Sequence, residues 1–425
     1  MEKTSQLPGF YKLSYERRLE IIKKFAELTE EETRLLSSTS PLKIEVAERM
    51  IENLIGVMPV PLGVAVNFLI NGKDYLIPMA TEEPSVVAAA SHAAKLARDG
   101  GGFLTDSTDP VMIGQIQVVD VKDPYGARVA VLKEKGKILS KANEQDPLLV
   151  SLGGGAKDLE ARVIQTSSGP MVIAELLVDC KDAMGANVIN TMAEAVAPII
   201  EETTRGRALL RIVSNLATRR LARATVVIPK ETLGGENVVD DIIAAYAFAA
   251  ADQYRCATHN KGVMNGITAV VLATGNDTRA VEAGAHAYAS RGGQYSPLTV
   301  WEKSVEGDLV GSIELPVAVG LVGGATASNP IAKVAVKILG VKTARELGEV
   351  LAAVGLAQNL AALRALATEG IQEGHMKLHA RNIAFAAGAR GEMIDRVAER
   401  MISEHRIRLD RAKEILSELT LEKES

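Results

Sequence analysis

Cysteine is nearly absent from this sequence: Cys180 and Cys256 are the only two among 425 residues. Two distant thiols make neither a disulfide framework nor a zinc knuckle, and they suit a reducing, cytoplasmic setting. An excess of one charge is lacking too. Lys+Arg 48 stand against Asp+Glu 53, a net −5, and no lysine or arginine run gives the footprint of a nucleic-acid-binding protein. The longest uncharged stretch, Pro316 to Ala332, is broken by Gly320, Gly323, Gly324, Asn329 and Pro330, so no membrane span is expected. Met1 to Ser5 lack the apolar core of a signal peptide, and none is expected. A Gly-x-Gly-x-x-Gly after a strand, a Gly-x-Ser-x-Gly elbow, a P-loop and a kinase loop set are all missing. His375 and His379 are four apart on one helical face, but no third ligand accompanies them, so no metal is expected.

What is present is core material. Apolar residues make up 47 % of a length that suggests two or three domains. Residues 14–56 read as helical. Val64 to Phe68 and Tyr75 to Pro78 flank Asn71-Gly72, a hairpin signal. Glu82-Glu83-Pro84-Ser85 opens a helix from Val86 to Arg98, with Pro84 at the first helical position, and Gly100-Gly101-Gly102 ends it. From about Val111 the texture changes to short β-rich runs at Gln115 to Val118, Ala161 to Thr166, Met171 to Val178 and Ala208 to Val213. Helical runs near Ala127, Asp182 to Ile200 and Leu216 lie among them. This α+β stretch, 110–215, reads as an inserted domain. Beyond Pro229 come alanine-rich helices, Asn237 to Tyr254 and Thr343 to Thr368, whose small side chains suit close packing. Gly370 to Gly374 is expected to break the second, leaving a charged helical tail as a closing flap.

Candidate chemistry starts at Lys261, read as part of a loop, His259 to Gly266, with Asp277 following 277 − 261 = 16 positions on. A cation held against a carboxylate suits stabilisation of developing oxygen charge; a surface ion pair is the plain alternative. Glu83 is either a proton donor or an acid serving a helix dipole. His375 after Gly374 is either an acid delivered by closure or an exposed histidine. Asp182-Ala183-Met184-Gly185-Ala186-Asn187 and Val322-Gly323-Gly324-Ala325-Thr326 suit close backbone approach to a ligand, or tight turns.

Taken in order, Glu82-Glu83-Pro84-Ser85, Asp182 to Asn187, His259-Asn260-Lys261-Gly262, Gly275-Asn276-Asp277 and Gly374-His375-Met376 resemble the class II 3-hydroxy-3-methylglutaryl-coenzyme A (HMG-CoA) reductases, from Leu7 to the tail. The resemblance implies an α+β fold. A large α-rich substrate domain (1–109 and 216–373) would carry an inserted ferredoxin-like dinucleotide-binding domain (110–215) and a C-terminal flap (374–425). It implies reduction of HMG-CoA to mevalonate and coenzyme A by two hydride transfers in the isoprenoid pathway. The same catalyst running oxidatively, or an acyl-CoA-binding protein on this scaffold, are the alternatives.

By the same resemblance Lys261 stabilises the anion of the hemithioacetal, Glu83 supplies a proton to the aldehyde, Asp277 links to both, and His375 protonates the departing thiolate. Ser85, Arg255, Asn265 and Asn359 match contacts to the acyl group. Asp182, Met184, Gly185 and Asn187 match the cofactor loop. Asp146 and Leu148 match positions beside the adenine ribose, where a carboxylate favours NAD(H) over NADP(H). A homodimer or larger assembly with the site across its interface is implied. One departure is Tyr11, with Lys12 beside it, where an arginine contacts coenzyme A phosphate in a characterised relative.

Overall fold

The computed structural model of the chain describes residues 3–39, 41–368 and 371–424, the last stretch with side chains from 379 to 420. Its larger sheet has six strands in the order β2-β1-β3-β8-β10-β9. Of these, β1 (Leu62–Ile70) and β2 (Lys73–Ala80) form the hairpin around Asn71-Gly72, both left-handed, as the hairpin's twist requires. The chain leaves this sheet after β3 (Phe103–Ser107) and returns as β8 (Leu221–Ile228), which pairs antiparallel with β3. Then β9 (Thr299–Lys303) and β10 (Leu309–Pro316) complete it.

Between those two crossings lies a second sheet, built from β4 (Val111–Val119), β5 (Gly155–Thr166), β6 (Gly169–Asp179) and β7 (Arg207–Ser214). Its order, β5-β6-β4-β7, is antiparallel throughout, with helices between β4 and β5 and between β6 and β7. That is the β-α-β-β-α-β, ferredoxin-like arrangement. Burial along β4 alternates strictly, which is the period-2 pattern of a one-sided sheet. The sheet has its own core, from Met112 and Ile116 to Val196 and Ile200. The α+β class is borne out.

Helices Val86–Arg98, Gln253–Ala273 and Ala344–Ala367 cover the large sheet around one core. Ala344–Ala367 is long and apolar enough to cross a membrane, but it is mostly buried inside the protein. Its approach to Gln253–Ala273 depends on two glycines. A Cβ on Gly266 would lie 2.9 Å from Val354, and one on Gly355 would lie 2.7 Å from Ile267. The two backbones therefore meet where a larger residue would hold them apart, and this brings Lys261 and Asn265 alongside Gln358 and Asn359.

Several expectations are corrected. His259 to Gly266 is not a loop; it is interior to the Gln253–Ala273 helix. The run expected over Asn237 to Tyr254 ends at Ala251, because Asp252 is extended and caps the next helix through Arg255 N at 2.7 Å. Leu216 is not helical, and the span 14–56 holds separate helices at Tyr15–Ala26, Glu30–Ser37 and Ile44–Ala47. The second alanine-rich helix does end at Ala367, ahead of Gly370, but Gly374 lies inside the next helix, Ile371–Ala386, which is followed by Met393–Ser403 and Leu409–Glu424 around a small core of Ala384, Val397, Met401 and Ile415.

Candidate active site

Lys261 and Asn265 stand one turn apart on the same helix face, and both reach one carboxylate. Lys261 Nζ donates to Glu83 Oε2 at 2.7 Å, and Asn265 Nδ2 to Glu83 Oε1 at 3.3 Å. Glu83 does not start a helix, and Pro84 is not the first helical residue. Glu83 lies in a bend three residues ahead of Val86, its backbone N–H bonded to Thr81 Oγ1 at 3.1 Å. Ser85, the N-cap, has φ 77°, a left-handed conformation uncommon for serine. Its hydroxyl makes no cap bond. Such local strain collects at ligand sites.

These groups open on a cleft of about 380 Å³, lined also by Arg255, His259, Gln358, Asn359 and an apolar wall of Ala361, Ala362, Ala365 and Leu366. Among the described residues the Arg255 guanidinium has no carboxylate partner, whereas Lys261 has Glu83. The cleft thus offers one uncommitted cation, one paired ammonium and several amide and hydroxyl groups. That set suits a ligand carrying a carboxylate and a polarised carbonyl. A larger cavity, about 1020 Å³, opens beside Lys73, Arg98 and Lys337, but their charges are committed to Glu346, Asp74 and Glu32.

The expected contact between Lys261 and Asp277 is absent within the chain. A helix that runs on from Lys261 to Ala273 carries the backbone about 18 Å away. Asp277 caps the helix Thr278–Ala289 instead, accepting from Arg279 N at 3.0 Å and Ala280 N at 3.2 Å, with the Arg279 side chain at 3.2 Å. Its turn touches the glycine-rich segment. Asn276 Oδ1 accepts from Gly320 N at 2.7 Å, and Thr326 donates to Thr274 O at 3.0 Å. Ala183 bridges to Val322, so the two glycine-containing motifs lie side by side with Asp277 near them.

The segment Asp182 to Asn187 leads into helix Ala186–Thr204. Gly185 at its N-cap has φ 105° and offers no side-chain cap, and a Cβ there would lie 2.4 Å from Cys180 Sγ. The open amides of a 19-residue helix beside glycine-rich backbone suit a phosphate-bearing ligand, so these residues fit a dinucleotide. Met184 is half-buried in this loop, and Asn187 is exposed in the first turn of the helix. Asp182 is turned elsewhere: its carboxylate accepts from Ala344 N at 2.7 Å, pinning the loop to the start of the Ala344–Ala367 helix. Buried Arg220 clamps the same junction, donating to Ala183 O at 3.0 Å, Met184 O at 3.2 Å and Val319 O. Burial pulls its pKa below the usual arginine value.

Asp146 caps a short helix, Pro147–Ser151, by accepting from Leu149 N at 2.9 Å; its other oxygen has no partner among the described residues. Leu148 is exposed. Leu149 and Val150 pack over Gly154 and Gly155, where β5 meets the Asp179 end of β6. The Asp146 turn and the Asp182 loop therefore share one end of the small sheet. Tyr11 is exposed, with the Lys12 ammonium 5.7 Å from its ring centre. The His375 side chain lies outside the described residues.

Sequence reasoning missed the Glu83–Lys261 pair, whose members are 178 residues apart. It also missed Thr299 and Trp301 beneath Asn359. The apolar spacing of Val263, Ile267, Val270 and Val271 would have exposed the helix under Lys261.

A family model described as hydroxymethylglutaryl-coenzyme A reductase matches residues 14–380. The chain is 62% identical over 416 residues to the 3-hydroxy-3-methylglutaryl-coenzyme A reductase of Archaeoglobus fulgidus, covering 98% of this chain and 95% of that one. It is 38% identical, over 88% of each, to the probable 3-hydroxy-3-methylglutaryl-coenzyme A reductase of Borreliella burgdorferi. The solved class II enzyme from Streptococcus pneumoniae, bound to NADPH in open conformations, matches with TM-score 0.82 at 41% identity, over 96% of this chain and 100% of that one. This chain therefore belongs to the class II HMG-CoA reductases, oxidoreductases that join HMG-CoA to mevalonate through a nicotinamide dinucleotide.

Proposed function

We propose that Glu83 and Lys261 are the catalytic pair and that the site is completed by a second copy of the chain. The observation that carries this reading is the Lys261–Glu83–Asn265 constellation in the cleft, far along its helix from Asp277. A reduced nicotinamide supplies hydride when bound. Lys261 meets the thioester oxygen and holds the charge that grows on it as the hemithioacetal forms. Glu83 gives the proton taken by the aldehyde oxygen in the second reduction. Arg255 takes the free carboxylate of the acyl group, with Ser85, Asn265 and Asn359 around it.

Asp277 and the cofactor loop Asp182 to Asn187, with Met184 and Gly185, lie together on one chain and away from that chain's Lys261. A homodimer that sets this end of one copy against the cleft of the other unites all the groups. The domains would divide as 1–109 with 216–373 for substrate, 110–215 for the dinucleotide and 374–425 as flap. A cytoplasmic catalyst of mevalonate formation is the reading these roles support. The reverse oxidation uses the same groups, and steady-state rates with each cofactor in each direction test it; no turnover of HMG-CoA with either cofactor would end this reading.

His375 protonates the leaving thiolate, which would otherwise re-add to the aldehyde. His375→Gln is expected to slow HMG-CoA reduction far more than reduction of free mevaldehyde, which releases no thiol. Equal losses on both substrates would remove His375 from that step.

The chain prefers NAD(H), because the unpartnered oxygen of Asp146 can accept from a ribose 2′-hydroxyl and its charge opposes a 2′-phosphate. The solved relative holds NADPH, so this preference is a property proposed for this chain. A contact of this kind is worth roughly 5- to 150-fold in kcat/KM. Asp146→Asn keeps a cap for Leu149 and removes the charge. It is expected to narrow the gap, mostly through the cofactor KM. A wild-type preference for NADPH overturns the assignment.

A further inference from the structure

Under the cleft, the start of β9 is hydrogen-bonded to both of the helices that carry Lys261 and Asn359. Asn260 accepts from Leu298 N at 2.9 Å and donates to Ser296 O at 3.0 Å. His259 Nε2 meets Thr299 Oγ1 at 2.7 Å. The Thr299 hydroxyl donates to Asn359 Oδ1 at 2.9 Å, and Trp301 Nε1 donates to the same oxygen at 2.7 Å. Asn260, His259, Thr299, Trp301 and Asn359 are all buried, at 1% exposure or less.

Donor chemistry fixes the polarity of this network. An indole N–H can only donate, so the Asn359 atom facing Trp301 is the oxygen. The oxygen cannot donate, so Thr299 gives its one proton to it. Thr299 must then accept from His259, which fixes the Nε2–H tautomer. Burial, with the Arg255 charge adding to it, holds His259 down at about 4, in keeping with a neutral ring. Both lone pairs of Asn359 Oδ1 are taken. Nothing among the described residues accepts from its Nδ2, and Asn359 lines the cleft.

We propose that Thr299 and Trp301 are positioning residues, which hold the Asn359 amide so that only its nitrogen faces the acyl end of the substrate. The proposal rests on the reading of Asn359 as a substrate contact. A donor held this way contacts a part of the acyl group that does not react. Its loss should raise KM and leave kcat close to its original value.

Thr299→Val removes the hydroxyl at nearly constant volume. It is expected to raise the HMG-CoA KM roughly five- to tenfold, the scale of one lost hydrogen bond, and to leave the NAD(P)H KM unchanged. Thr299→Ser restores the hydroxyl and should restore KM. In an Asn359→Ala background, Thr299→Val should add nothing, because its effect passes through Asn359. Trp301→Phe, which loses the N–H and keeps an aromatic ring, should raise KM in the same way.

Trp301 is the only tryptophan in the chain, so its emission reads the network directly. Titration with HMG-CoA should change it saturably in wild type and not in Asn359→Ala. An unchanged KM in folded Thr299→Val or Trp301→Phe, additivity with Asn359→Ala, or a serine variant no better than valine would overturn the proposal. A wild type that binds HMG-CoA with the emission change but does not turn it over would instead count against the catalytic reading.

Discussion

Alanine in place of Lys261 is expected to lower kcat on HMG-CoA by about 10²–10³, the usual effect of removing one preorganised donor from developing oxygen charge. The fold should survive. The Lys261 side chain is 59% exposed in the single chain and lies outside the core, and alanine is the best helix former. What is lost is therefore chemistry. Glu83 keeps Asn265 as a donor at 3.3 Å but loses its ammonium partner. Arginine should rescue poorly, because its planar fork cannot occupy the point position of an ammonium. The measurement is kcat beside the thermal midpoint; near-normal turnover in a folded Lys261→Ala protein would remove the residue from its assigned role.

A second large effect is expected from mixing two inactive proteins. If Lys261 of one copy works with Asp277 of another, Lys261→Ala and Asp277→Ala should each be nearly inactive alone. Unfolded and refolded together, half the dimers are mixed, and in each of those one site has both native residues. Activity should then rise to roughly a quarter of wild type. A site contained in one chain gives no such recovery, since every chain carries a lesion. The separation along the Gln253–Ala273 helix is what makes the two-chain outcome the expected one. Asp277 also caps a helix through Arg279 and Ala280, so Asp277→Asn, which preserves a capping oxygen, is the better variant if the alanine protein misfolds.

Local patterns in the sequence carried much of this architecture. The Asn71-Gly72 hairpin, the Val86–Arg98 helix and the alternation along β4 were readable because each depends on residues a few positions apart. The segment around Lys261 was misread for an equally local reason. Histidine, two asparagines and two glycines suggested a loop, while the apolar residues at helical spacing and packing against Ala344–Ala367 decided otherwise. The family motifs brought Glu83, Lys261 and Asp277 to notice without showing that two of them meet in one chain and the third does not. Nor could motif or period reveal the Trp301–Asn359–Thr299–His259 network, which exists only once three separate elements are packed together.

The placement of the small sheet between β3 and β8 also bears on how the molecule assembles. Phe103 and Val226 are partners in the large sheet, yet 226 − 103 = 123 residues separate them. Joining them directly from an open chain means closing a long loop, with an entropy cost that grows with its length. The intervening strands make sequence-local pairings, such as the β5–β6 hairpin, and they enclose a core of their own. Once they have folded, the ends of the insert are held near each other, and the long loop becomes in effect a short one. The insert is thus expected to act as a folding staple for the sheet that surrounds it: a lesion in its core, such as Ile116→Ala, should slow refolding of the substrate cleft, read as recovery of activity after dilution from denaturant, without touching any residue that lines it.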